Sequence, residues 1–130
     1  MTKHLILLIA PLLAACATAG ASPAQIEGSK WTFTQIDGAA PVSGQTSLAI
    51  KSDQIDVFVG CNGMGSNLTI AGEKLIVGPV ISTRMYCDGV MEQEHAVGRL
   101  LAASPTFKIA NGKLVLQGGG HRAVLQRTGD

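Results

Sequence analysis

Phe107-Lys108-Ile109-Ala110-Asn111-Gly112-Lys113-Leu114-Val115-Leu116 is the stretch that sets the fold class. Two strand-forming runs flank Asn111-Gly112, and Asn-Gly supplies the positive φ angles of a type I′ turn, so a tight hairpin is expected. Downstream, Gly118-Gly119-Gly120 leads to a last strand, Ala123 to Arg127. Upstream, Ser104-Pro105 stops a segment from Asp88 that has a four-residue rhythm in Val90, Glu94, Val97 and Leu101, the spacing of a helix. Asp88 is the expected N-cap, Glu92 and Glu94 suit the positive helix end, and Arg99 suits the later turns. Before it, Leu68-Ile70 and Leu75-Val80 flank the turn Ala71 to Lys74 and predict a second hairpin. Leu48-Ile50 and Ile55-Val59 flank Ser52-Asp53-Gln54 and predict a third. Trp31, Phe33 and Gln35 alternate with Thr32 and Thr34 in a first strand that ends at Asp37-Gly38. The pattern predicts a mostly β, α+β domain over residues 29–128 with one helix, no internal repeat and no second domain.

The N-terminus has a different character. Lys3-His4, then the apolar run Leu5 to Leu13, then Ala14-Ala15, has the layout of a secretory signal over residues 1–15. The run is too short for a permanent span, which needs about 20 residues. Leu13-Ala14-Ala15-Cys16 resembles the bacterial lipobox, in which the cysteine is acylated and becomes the first mature residue. Residues 16–28 then form a lipidated Cys16 and a small, polar, Pro-containing tether. Each buried methylene of an acyl chain contributes about 0.8 kcal/mol, so more than one chain on Cys16 gives a stable anchor. In such lipoproteins an Asp after the cysteine favours inner-membrane retention. Ala17 stands there, so the periplasmic face of the outer membrane is expected. Removing residues 1–15 takes away Lys3 and no acid, leaving a formal charge of zero. A neutral domain with scattered Lys and Arg lacks the basic footprint of a nucleic-acid binder.

Two patches need a separate explanation: Gly60-Cys61-Asn62 after a strand, and Thr83-Arg84-Met85-Tyr86-Cys87 before the helix. Together with Trp31 in the first strand and Met91-Glu92-Gln93-Glu94 in the helix, their order and spacing resemble the META/HslJ domain family. Two departures, Gly63-Met64-Gly65 after the Asn and Val97 in place of a common aromatic, leave the motif residues untouched. The resemblance implies a curved antiparallel sheet, close to an open barrel of about seven to eight strands, with one helix packed on it. It also implies an envelope or secreted protein linked to stress or antibiotic tolerance.

The candidate sites each have a structural alternative. An oxidising periplasm permits Cys61 and Cys87 to form a disulfide, worth roughly 3 to 4 kcal/mol, the alternative being two buried thiols packed as small apolar groups. Free thiols would instead join Met85, Met91 and His95, with Met64 near, in a soft-metal set suited to Cu(I). Met91 and His95 are spaced for one helical face. Glu94 shares the stripe of Val90, Val97 and Leu101, so its carboxylate is aimed at the sheet and must be paired, with Arg84 and Asn62 as partners. Trp31 is expected in the core rather than as a ligand platform. His121 and Arg122 are expected to be solvated at a flexible hairpin end. No acid, base and nucleophile occur at a workable spacing, so a non-enzymatic module without a cofactor is expected. Its expected partners are the membrane, through Cys16, and an envelope protein or hydrophobic small molecule held in the concavity of the sheet, as pilot-like or chaperone-like lipoproteins do. The alternative function is copper handling by the Met/Cys/His cluster.

Overall fold

The computed structural model describes Pro11 and residues 23–129. The expected signal segment, Cys16 and most of the tether lie outside the described residues. A short helix α1 (Pro23–Ile26) precedes strands β1 (Ser29–Ile36), β2 (Ser47–Ile50), β3 (Gln54–Phe58), β4 (Gly63–Ala71), β5 (Lys74–Val77) and β6 (Ile81–Ser82). Helix α2 (Met91–Ala102) follows, then β7 (Thr106–Ala110), β8 (Lys113–Gly118) and β9 (His121–Gly129). The packed part begins earlier than Ser29, because Ile26 is fully buried and Gly28 N–H donates to the Ile50 carbonyl at 2.7 Å.

Alternation of apolar and polar residues drives each strand to bury one face. Trp31 and Phe33, Leu48 and Ile50, Ile55 and Val57, Leu75 and Val77, Leu114 and Leu116, and Ala123 and Leu125 all point into a single core. The strands are antiparallel in the order β3-β2-β1-β9-β8-β7-β5-β4, and β3 also pairs with β4, so the sheet closes into an eight-stranded barrel. Closure is thinnest between β5 and β7, where Lys74 opposite Thr106 is the single registered pair. The ninth strand, β6, is appended to β4 through Met64↔Ser82 and Gly65↔Ile81. Helix α2 packs on β9, β8 and β1, and Val97, Leu100 and Leu101 join the barrel core.

Three details differ from the sequence expectations. Gln35 is exposed and Ile36 buried, because a register shift between Phe33 and Gln35 in the β1–β9 pair inverts the alternation. β4 starts at Gly63, five residues before the strand segment expected at Leu68-Ile70. Asp88 does not cap α2. The N-cap is Val90, without a side-chain hydrogen bond, after a turn through Gly89 at φ +78°. At the other end of the helix, Gly119 (φ +60°) brings the β8–β9 turn against α2, so that an added Cβ would lie 3.1 Å from the Ala103 Cβ.

The β9 start is also less free than expected. His121 Nδ1 lies 2.8 Å from Asp37 Oδ2, and Asp37 Oδ1 accepts the Arg122 N–H at 2.9 Å. These bonds, the backbone one foremost, hold the Asp37 carboxyl below the usual carboxylate range. A lowered folded-state pKa adds stability above the unfolded value, and that contribution is lost as pH falls through the folded one. Asp37→Asn should therefore flatten the acid limb of the stability profile below about pH 4. Urea midpoints at several pH values measure this, and an unchanged acid limb would contradict it.

Candidate functional site

Gly60, Cys61 and Asn62 occupy the corner between β3 and β4, and the need for each residue is visible there. Gly60 has φ +115°, and an added Cβ would sit 2.7 Å from the Ser43 Cβ and 3.0 Å from the Val90 Cγ1. Gly60→Ala should thus cost about 2 kcal/mol or more, through strain at positive φ and overpacking. An unchanged urea midpoint would sink that expectation. Cys61 is bonded to Cys87, with S–S 2.08 Å and Cα–Cα 5.9 Å. The disulfide ties the corner to the segment that enters α2.

Asn62, only 2% exposed, uses its whole side chain. Its Oδ1 accepts from the Thr83 hydroxyl at 2.8 Å and the Met85 N–H at 2.7 Å. Its Nδ2 donates to the Met85 carbonyl at 2.9 Å and to Glu94 Oε1 at 2.6 Å. Glu94 Oε2 accepts the Asn62 backbone N–H at 3.0 Å. An amide offers two donors and two acceptor lone pairs, so Asn62 is fully satisfied. Among the described residues no buried side-chain nitrogen or oxygen lacks a partner. Of the two partners expected for Glu94, Asn62 takes the place. Arg84 instead lies exposed.

This clamp holds residues 82–86 as a strap facing α2, and an open groove of about 640 Å³ runs between them. Met64, Val80 and Met91 contribute apolar lining, and Arg84, His95 and Arg99 line it with basic or titratable groups. On the strap, Met85 and Tyr86 are exposed by 58% and 79%, leaving large apolar side chains open on this side. Met91 and His95 do share the groove face of α2, as their spacing indicated. The thiolates that the Cu(I) set would draw on are joined in the disulfide.

The META domain model matches residues 24–130. The chain belongs to the META domain family. In this META domain the motif residues Gly60, Cys61, Asn62, Thr83, Met85, Cys87 and Glu94 converge on the clamp, Met91 lines the groove, and Trp31 stands apart. Trp31 is 1% exposed and a core residue, with its Nε1 donating to Ser29 Oγ at 2.6 Å and the Arg127 guanidinium 4.7 Å from its ring centre. Two solved structures share the fold. One NMR structure is 14% identical, with TM-score 0.70, covering 82% of this chain and 94% of its own. The other, an NMR structure of a Burkholderia xenovorans protein, is 18% identical, with TM-score 0.63, covering 98% of this chain and 99% of its own. No curated protein matches significantly.

The sequence did not single out Gln93, which links three elements: its Nε2 donates to the Val59 carbonyl at 2.8 Å and its Oε1 accepts the Val42 N–H at 2.9 Å. Its position within Met91-Glu92-Gln93-Glu94, one residue before the buried acid, was the available signal. Val80 and Arg99 as groove residues carried none, because their neighbourhood depends on how β6 and α2 pack.

Proposed function

We propose that this META domain is a non-enzymatic binding module of the bacterial envelope, anchored through acylated Cys16 and working through the groove between the strap and α2. The observation that carries the binding role is the pairing of an open groove with exposed Met85 and Tyr86 at its strap side. Open concave surfaces with apolar lining and a few polar groups are the usual form of binding sites. The polar atoms of Asn62 and Glu94 are taken up by one another and by the strap, which favours a structural role for them over a chemical one. The anchor is supported by the lipobox-like Leu13 to Cys16 and by the neutral charge of the remainder, which gives no electrostatic membrane attachment.

The test is intact mass of the protein taken from its native envelope, with thiol alkylation before and after reduction. The expected result is an acylated N-terminal Cys16, with Cys61 and Cys87 alkylated only after reduction. An unacylated N-terminus would overturn the anchor, and thiols alkylated without reduction would reopen a metal-binding role.

A further inference from the structure

Closure of the barrel removes the free edges of eight strands, but among the described residues β6 is paired with β4 alone. The Thr83 N–H donates to the Gly63 carbonyl at 3.2 Å, which makes Gly63 and Thr83 a hydrogen-bonded pair. In an antiparallel ladder such pairs alternate with non-bonded ones. The neighbouring pair Met64↔Ser82 is therefore non-bonded, and the Ser82 N–H and C=O point away from β4. Two residues on, Met85 N–H and C=O both turn to Asn62, while among the described residues the Arg84 N–H and C=O have no hydrogen-bond partner. Ser82 and Arg84 thus offer two donors and two acceptors at the spacing of a strand edge. The residues from Ser82 to Tyr86 all line the groove facing α2.

On the other wall, Gly98 has no side chain to narrow the groove; an added Cβ there would meet only Met64 Sδ, at 3.8 Å. The charge is one-sided. Arg84 and Arg99 line the groove and make no ion pair among the described residues, and its one acid, Glu94, is buried against Asn62.

We propose that the groove takes an extended peptide segment that adds as a strand to the Ser82–Arg84 edge, with apolar side chains on the face of Met85 and carboxylates on the opposite face, toward Arg84 and Arg99. Main-chain hydrogen bonds would supply affinity and alternate side chains specificity, the general logic of strand addition. The free edge, an unpaired backbone ladder, selects a peptide over a lipid, which has no series of amides at the strand repeat to offer. The proposal rests on the binding-module reading above and specifies its partner.

The probe is fluorescein-labelled Ac-Val-Glu-Val-Glu-Val, titrated against the full chain by fluorescence anisotropy, with amide exchange followed in parallel. Saturable binding is expected, with slowed exchange at Arg84 N–H. Affinity should fall by about tenfold when alternate peptide nitrogens are methylated, because the ladder bonds are then lost. It should fall severalfold in Arg84→Glu or when Lys replaces Glu in the peptide, and the difference should shrink in high salt. Equal binding of the methylated peptide would overturn strand addition while leaving the binding-module reading standing. Equal binding of the Lys peptide would overturn the charge assignment. No binding of the acidic peptide, with sodium dodecanoate slowing exchange around Met91 instead, would overturn the proposal in favour of a lipid site.

Discussion

Replacing Cys61 and Cys87 together by alanine should lower stability by about 3.5 kcal/mol, the chain-entropy value for a closed loop of this length. The two cysteines are 26 residues apart, and the loop between them contains all of β4, β5 and β6. Domains of this size have a total stability of about 5–15 kcal/mol, so the loss is a large fraction of the whole. It corresponds to a fall in melting temperature on the order of 15 °C or more. The single variants should lose at least as much, because each leaves an unpaired thiol in a partly buried corner. Thermal unfolding under oxidising and reducing conditions measures this. A double variant within about 1 kcal/mol of the parent would mean that packing around α2, and not the crosslink, holds the strap.

Asn62→Ala should be nearly as damaging, at about 3 kcal/mol or more. The substitution deletes four hydrogen bonds at one buried position and leaves the Glu94 carboxylate with the single N–H of residue 62. Buried groups deprived of partners cost about 1–3 kcal/mol each, and more when charged. Glu94→Gln is milder in shape, but its amide would set a donor against the donors of Asn62. Because the two side chains act as a unit, the double variant should cost less than the sum of the singles, with a coupling of about 0.5–3 kcal/mol. Additive losses in urea denaturation would show that Asn62 and Glu94 are independent.

Much of this architecture was legible in the chain because local chemistry and final structure agree. Asn111-Gly112 forms the turn that its positive φ angles permit, at +55° and +73°, and Phe107 to Leu116 pairs in the expected register. Glu94 was readable as a buried acid from its place on the α2 stripe. What was not legible depends on long-range geometry. The register shift in β1 arises from pairing with β9, some ninety residues away, and no period-2 pattern encodes it. The helix start was misplaced because Cys87 is held by its disulfide and Gly89 sets the turn, which removes the need for an Asp88 cap. The groove was invisible for the same reason: its walls come from β4, the strap and α2, and only closure of the barrel sets β6 apart as a free edge.

The central claim is that Asn62 holds the backbone of the strap from inside while the other edge stays open, and amide exchange at Met85 and Arg84 tests it most directly. In the oxidised full chain, Met85 N–H, bonded to Asn62 Oδ1 at 2.7 Å, should exchange slowly, and Arg84 N–H, one residue away, should exchange fast. The Met85 protection should vanish in Asn62→Ala. Equal and rapid exchange at both amides in the parent protein would contradict the clamp, and with it the groove as a preformed site.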